Sequence, residues 1–258
     1  MPAIAQVLGD ELLRDTVIVG GLVPTLLYSD LTPAPETGAH VGTFDVDLAL
    51  DLVILNEERY ADIVERLERA RFVPDANAAG NTTRQRWRSP TGVSIDFLMP
   101  PVPPDKRGGR LQGLTSDFAA QTMRGLDLAF KHPLAITLRG VDLDGRNVTR
   151  TLPVCAPDIF VMLKALAIAN RDRRKDAYDL YYVLKHDVQG PQALGRDLAG
   201  FGAHAAVPMP SQSSSESFAL LTDAGQRTCV DLWIRSGTTT SPPTFSHSAE
   251  PFSAVTAR

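Results

Sequence analysis

From Phe44 to Leu52 the chain alternates: Phe44, Val46, Leu48, Leu50 and Leu52 fall on one face, Asp45, Asp47, Ala49 and Asp51 on the other. A period of two predicts a strand covered on at least one side. Upstream, the β-branched run Thr16-Val17-Ile18-Val19 meets Gly20-Gly21, and Leu22 to Tyr28 follows as a short helix, giving strand, glycine turn, helix. Ser29 to Gly42, rich in Pro, Thr and Gly, reads as a loop. From Glu57 to Arg71 the apolar positions Tyr60, Ile63, Val64 and Leu67 recur at helical spacing, with charges opposite. Thr82 to Arg88 and Val93 to Leu98 predict two strands joined by the turn-forming Ser89-Pro90-Thr91-Gly92. Pro100 to Arg110 reads as a loop, and Leu134 to Leu138 and Val148 to Leu152 as strands flanking Asp144-Gly145.

The pattern then changes. Pro157 suits the first turn of a helix, and Ile159 to Ala169 is apolar nearly all round, as in a helix buried on most of its surface. A further helix is predicted from about Lys175 to Lys185, with Ala177, Leu180, Tyr181 and Leu184 as its inward stripe. Beyond about Gly202 the stretches Ser211 to Ser217 and Gly237 to Ser248 hold mostly Ser, Thr and Pro, so disorder or poor packing is expected there, with Cys229 to Ile234 an unplaced short element. The fold class is α+β.

The length, 258 residues, accommodates one sizeable core or two small ones. A net charge of -4 argues against a surface built throughout for duplex nucleic acid, although Arg84-Gln85-Arg86-Trp87-Arg88 and Arg171-Asp172-Arg173-Arg174-Lys175 are local basic stretches. No apolar run approaches the ~18 to 20 residues that span a bilayer, and Met1 to Asp10 lacks the marks of a signal peptide. The expectation is a cytoplasmic protein without a membrane partner. Cys155 and Cys229 lie far apart, without metal-ligand spacing, and read as incidental.

The chemistry lies in the acids. Two residues apart on a strand, Asp45 and Asp47 project side by side and can share a divalent cation. Taken alone, they read first as a solvated strand face. A third acid, Asp96, interrupts the otherwise apolar Val93 to Leu98, where acidic residues are depleted; it is either another ligand or a core carboxylate satisfied by an arginine such as Arg86. Gly20-Gly21, lacking side chains, lets backbone N–H groups approach a phosphate, aided by the N-terminus of the helix that follows. Lys164, on a helix apolar almost everywhere, must reach an anion or water, or pair with Asp176 or Asp179, which share a helix face three residues apart.

This ordered set, covering roughly Val17 to Met99, resembles the nucleotidyltransferase fold of the DNA polymerase β superfamily. With Lys164-Ala165-Leu166-Ala167, Arg171, Lys175-Asp176-Ala177-Tyr178-Asp179-Leu180 and Thr43-Phe44-Asp45-Val46-Asp47-Leu48, the chain is also similar to the AbiEii toxins of type IV toxin–antitoxin systems, to which the MenT toxins are related. Where many of those relatives carry an arginine shortly before the Asp-x-Asp pair, this chain has His40-Val41-Gly42-Thr43. The resemblance implies a mixed sheet flanked by helices as a catalytic domain over 1–150, a helical part over 151–201 that completes the active site, and an atypical tail over 202–258.

It further implies transfer of a nucleoside monophosphate from an NTP to an acceptor, with Mg2+ or Mn2+ held by Asp45, Asp47 and Asp96. Lys164 would neutralise developing charge, and Gly20, Gly21, Thr43, Arg171, Lys175, Asp176 and Asp179 would contact the nucleotide. Arg84, Arg86 and Arg88 share one strand face, with Trp87 on the other, and suit a phosphate backbone; this makes RNA, specifically a tRNA 3′ end by resemblance, the first acceptor. A cognate antitoxin would be the partner. The alternatives are a small-molecule nucleotidyltransferase of the aminoglycoside-modifying kind and a catalytically inactive nucleotide-binding module.

Overall fold

The computed structural model describes residues 1–29, 40–43, 45–51, 56–77, 79–102, 108–170, 174–201 and 204. The expectations for 202–258 therefore lie outside the described residues apart from His204, as do Phe44, Leu52 and Arg171.

Among the described residues, nine strands form one mixed sheet: β1 (Thr16–Val19), β2 (Asp45–Leu50), β3 (Val73–Ala76), β4 (Thr82–Arg88), β5 (Ser94–Met99), β6 (Leu111–Gly113), β7 (Ala119–Thr122), β8 (Leu134–Val141) and β9 (Asn147–Val154). The main order is β3-β4-β5-β2-β1-β9-β8, and β7 branches from the end of β5, with β6 paired on it. β1 runs antiparallel to β2, and β2 runs parallel to β5, with Asp47 opposite Asp96 in register. Six helices accompany the sheet: α1 (Pro2–Arg14), α2 (Val23–Leu27), α3 (Glu57–Arg69), α4 (Pro157–Asn170), α5 (Arg174–His186) and α6 (Pro191–Ala199). This is the mixed sheet flanked by helices that the α+β expectation describes.

The alternating strand predicted around the acids is β2, and the predicted hairpin is β4–β5. Val46, Leu48 and Leu50 are buried on one face of β2. Leu48 lies opposite Phe97 of β5, whose ring packs edge-on against Phe118 at 4.8 Å, and Phe118 touches Tyr60 of α3. Helix α3 therefore covers the apolar face, and the acids occupy the opposite one. Asn56 caps α3 by accepting a bond from the Arg59 backbone N–H, while Tyr60, Ile63 and Leu67 form its buried stripe. α4 is buried nearly all round, as its composition requires.

Four features depart from the sequence pattern. The helix after Gly20-Gly21 is only five residues long and follows a 3-10 turn (Gly20–Leu22), so its dipole is short. The inward side of α5 holds Leu180 and Leu184 as expected, yet Ala177 and Tyr181 are only half-buried, and Asp176, Asp179, Tyr182 and Val183 are buried instead. The strands flanking Asp144-Gly145 extend further, to Val141 and Val154. α1, β3, β6, β7 and α6 carried no clear signal. One hydrophobic cluster runs from Ile4 to Leu198 and joins α4, α5 and α6 to the sheet. No helix among the described residues is long and apolar enough to cross a membrane.

Candidate active site

Three carboxylates share one face at neighbouring ends of strands. Asp45 and Asp47 project from β2, and Asp96 stands beside Asp47 on β5. Neither Asp45 nor Asp47 has a side-chain hydrogen bond or ion pair among the described residues. Desolvation first, and then the negative charges of Asp96 and Asp45, push the Asp47 carboxyl up to about 6, against the opposing pull of Lys164 and Arg86. Burial and like charge thus outweigh the positive charge that reaches Asp47. The backbone N–H of Asp45 donates to Thr43 Oγ1 at 3.1 Å, which fixes the approach to β2.

Asp96 differs. Arg86, its register partner on β4, donates Nε to Oδ1 at 2.8 Å and Nη2 to Oδ2, a bidentate pair that engages both oxygens. The arginine-satisfied reading of Asp96 therefore describes this structure. Among the described residues no group of three or more His, Cys, Asp or Glu side chains stands ready to hold a metal ion. The all-oxygen donor set of Asp45 and Asp47 fits a hard divalent cation, the more so for the charge they leave uncompensated. Asp96 fits as a third ligand only where Arg86 yields an oxygen.

The Gly20-Gly21 bend joins this acidic face to a cluster of cations. Gly20 has φ +70°, and a Cβ there would fall 1.8 Å from Asp47 Oδ2, so only glycine permits the contact. A Cβ on Gly21 would meet Lys175 Nζ at 3.3 Å, Asp179 Oδ2 at 3.4 Å and Thr43 Cγ2 at 3.4 Å. Lys164, 6% exposed, donates to Asp176 Oδ1 at 2.8 Å and Asp179 Oδ2 at 2.7 Å. Lys175 donates to Asp179 Oδ1 at 3.0 Å. Burial would raise the Asp179 pKa, but bonds from His40, Lys164 and Lys175 more than offset it and hold the carboxyl below its ordinary value. Lys164 thus makes the pairing with Asp176 and Asp179 that their shared helix face allows, and its charge also reaches Asp47.

His40, unlike its partner Asp179, carried no functional expectation. Its side chain is 2% exposed and bridges Thr25 Oγ1 (Nδ1, 2.8 Å) and Asp179 Oδ1 (Nε2, 3.0 Å), between a stacked Tyr178 and an edge-on Tyr182. The available signal was its position five residues before Asp45, in place of an arginine. Arg84, Arg86 and Arg88 do share a face of β4, with Trp87 buried opposite. Each is engaged: Arg84 with the carbonyls of Thr115 and Ser116, Arg86 with Asp96, and Arg88 with Asp75.

Paired acids thus lie beside a glycine bend, faced by the buried Lys164 and the half-exposed Lys175. A family model described as nucleotidyltransferase matches residues 3–184, and the chain belongs to that family. No curated protein matches it. Similar solved structures include the following two. The solution structure of the antibiotic-resistance factor ANT(2'')-Ia is 10% identical, with TM-score 0.36, over 77% of this chain and 92% of that one. The crystal structure of an antigenic nucleotidyltransferase-like protein from Paracoccidioides brasiliensis is 19% identical, with TM-score 0.38, over 77% and 85%.

Proposed function

We propose that the protein transfers a nucleoside monophosphate from an NTP to a hydroxyl of an RNA 3′ end, as the toxin of a toxin–antitoxin pair of the AbiEii type. The observation that carries the transfer chemistry is the double use of one bend. Asp47 lies against Gly20, while Lys175, Asp179 and Thr43 surround Gly21. Carboxylates that attract cations and ammoniums that attract phosphates therefore meet within one residue of each other.

In the reaction, the acceptor oxygen bonds to the α-phosphorus as the bond to the bridging oxygen breaks, releasing pyrophosphate. Asp45 and Asp47 are the residues that would hold Mg2+ or Mn2+, with Asp96 as third ligand on release from Arg86. The ion, when bound, supplies charge neutralisation at the phosphates and lowers the acceptor hydroxyl's pKa. Gly20 and Gly21 would offer backbone N–H groups to the β- and γ-phosphates, and Thr43, Lys175, Asp176 and Asp179 would border them. Lys164 holds positive charge beside the carboxylates. Arg171 completes this set on the resemblance alone. For RNA, the support is the row Arg84, Arg86 and Arg88: Arg88 pairs with Asp75 while half-exposed, a contact weak enough for a phosphate to displace. The antitoxin rests on the resemblance.

The test is incubation with each α-labelled NTP and total RNA. Wild type labels an RNA band, and Asp45→Ala and Asp47→Ala do not while keeping the fold. Retained labelling in either variant overturns the assignment. Labelling that added salt scarcely weakens, on a small molecule in place of RNA, would move the acceptor to the aminoglycoside class. One observation favours a second reading: the bidentate Arg86–Asp96 pair suits a binding module without turnover. Calorimetry that registers NTP and magnesium, together with no labelled product, would establish it.

A further inference from the structure

Asp179 is fully buried and, among the described residues, accepts three donors from three places in the chain. Oδ2 takes Lys164 of α4; Oδ1 takes both Lys175, one turn earlier on α5, and His40, from the segment that precedes β2. The three donors are not alike. Lys164 and His40 have side chains 8% and 2% exposed, whereas that of Lys175 is 45% exposed, with its ammonium 3.3 Å from where a Cβ on Gly21 would lie. Lys175 is the cation that can turn to a phosphate.

Turning has a consequence for the carboxylate it leaves. A buried carboxylate oxygen stripped of its donors bears a large desolvation penalty, which would hold Lys175 in place. His40 removes that obstacle. An ionised carboxylate only accepts, so Nε2 carries the proton toward Asp179, and in the neutral ring Nδ1 then accepts from the Thr25 hydroxyl. Both ring nitrogens are satisfied, and the ring is clamped between Tyr178 and Tyr182.

We propose that His40 is a positioning residue that keeps Asp179 Oδ1 hydrogen-bonded when Lys175 leaves it, freeing the Lys175 ammonium for a polyphosphate at Gly20-Gly21. The proposal deepens the phosphate-site reading above and rests on it. Three features follow from one geometry. His40 acts through Lys175, its donor at Nε2 matters more than its aromaticity, and it touches no reacting atom.

The experiment measures calorimetric binding of inorganic tripolyphosphate, with magnesium present, to the full chain. Wild type binds; His40→Ala weakens binding on the order of tenfold, the loss of one charge-assisted hydrogen bond. His40→Gln, whose amide can accept from Thr25 and donate to Asp179, regains most of it. Lys175→Met weakens binding, and adding His40→Ala to Lys175→Met has little further effect, because the residue through which His40 acts is already gone. Additive losses in the double variant, equal binding by His40→Ala, or failure of His40→Gln to recover each overturn the proposal. These affinities refer to folded protein, so loss of stability alone moves none of them. If wild type itself binds neither tripolyphosphate nor any NTP, the phosphate-site reading fails, and this proposal with it; if wild type binds and only the variants disobey, that reading stands and His40 alone is reassigned.

Discussion

Gly20 and Asp47 occupy adjoining space so closely that neither tolerates a larger neighbour. A methyl group on Gly20 would overlap Asp47 Oδ2, and the positive φ opposes any L side chain. Asp47 in turn is destabilising to the metal-free protein. Its folded pKa, about 6, lies above its ordinary 3.8, so between those values the folded state holds more proton than the unfolded one. The stabilising contribution is fully present below 3.8 and is lost as pH rises through about 6. Asp47→Asn, permanently neutral, should therefore melt at a higher temperature than wild type in chelator near neutral pH, should lose that advantage at pH about 4, and should show no transfer. Thermal melts at the two pH values check this; an Asp47→Asn protein less stable than wild type near neutrality contradicts it.

At the scale of elements, the acids stay in place because the opposite face of β2 and β5 is packed. Helix α3 supplies that packing through Tyr60, Ile63 and Leu67, and its first turn depends on Asn56 and on the acids Glu57 and Glu58 near the N-terminal end of its dipole. Asn56→Ala should lower stability by about 1 kcal/mol. A urea midpoint displaced downward with unchanged slope, and labelling by NTP unchanged, is the expected result. The β4–β5 hairpin joins two of the proposed site's parts instead. Arg86 belongs to the basic row and grips Asp96, so on the proposed function an RNA phosphate and a divalent cation would draw on the same pair.

Across the whole molecule, residues far apart in the chain depend on one another around Lys164. Its ammonium on α4 satisfies Asp176 and Asp179 of α5 and lends charge to Asp47 of β2. Lys164→Met removes one donor from each of two buried carboxylates, Asp176 and Asp179, and the expected loss is about 3 kcal/mol or more. Lys164→Met combined with Asp176→Asn should recover much of the stability and none of the transfer. Denaturation midpoints and labelling, measured on the same preparations, separate the structural share of Lys164 from its electrostatic one. Recovery of transfer in the double variant would remove Lys164 from the catalytic set.

Much was legible in the residues alone wherever a local pattern is enforced by burial on one side. The alternation around Asp45 and Asp47, the turn between β4 and β5, the glycine bend and the apolar run of α4 each follow from nearest neighbours and a period. α1 was not legible, because Met1 gives it no side-chain cap and Gly9, at φ 73°, interrupts it. Nor was β3, where Pro74 and a register shift break the period of two. Sequence determined which groups carry charge and which face of a strand or helix they share. Only the tertiary structure decided who neutralises whom: that Asp96 is held by Arg86 while Asp47 makes no ion pair among the described residues, and that His40, from the segment before β2, reaches Asp179. Pairing energies depend on distance and dielectric, and both are set by how separate elements pack rather than by spacing along the chain.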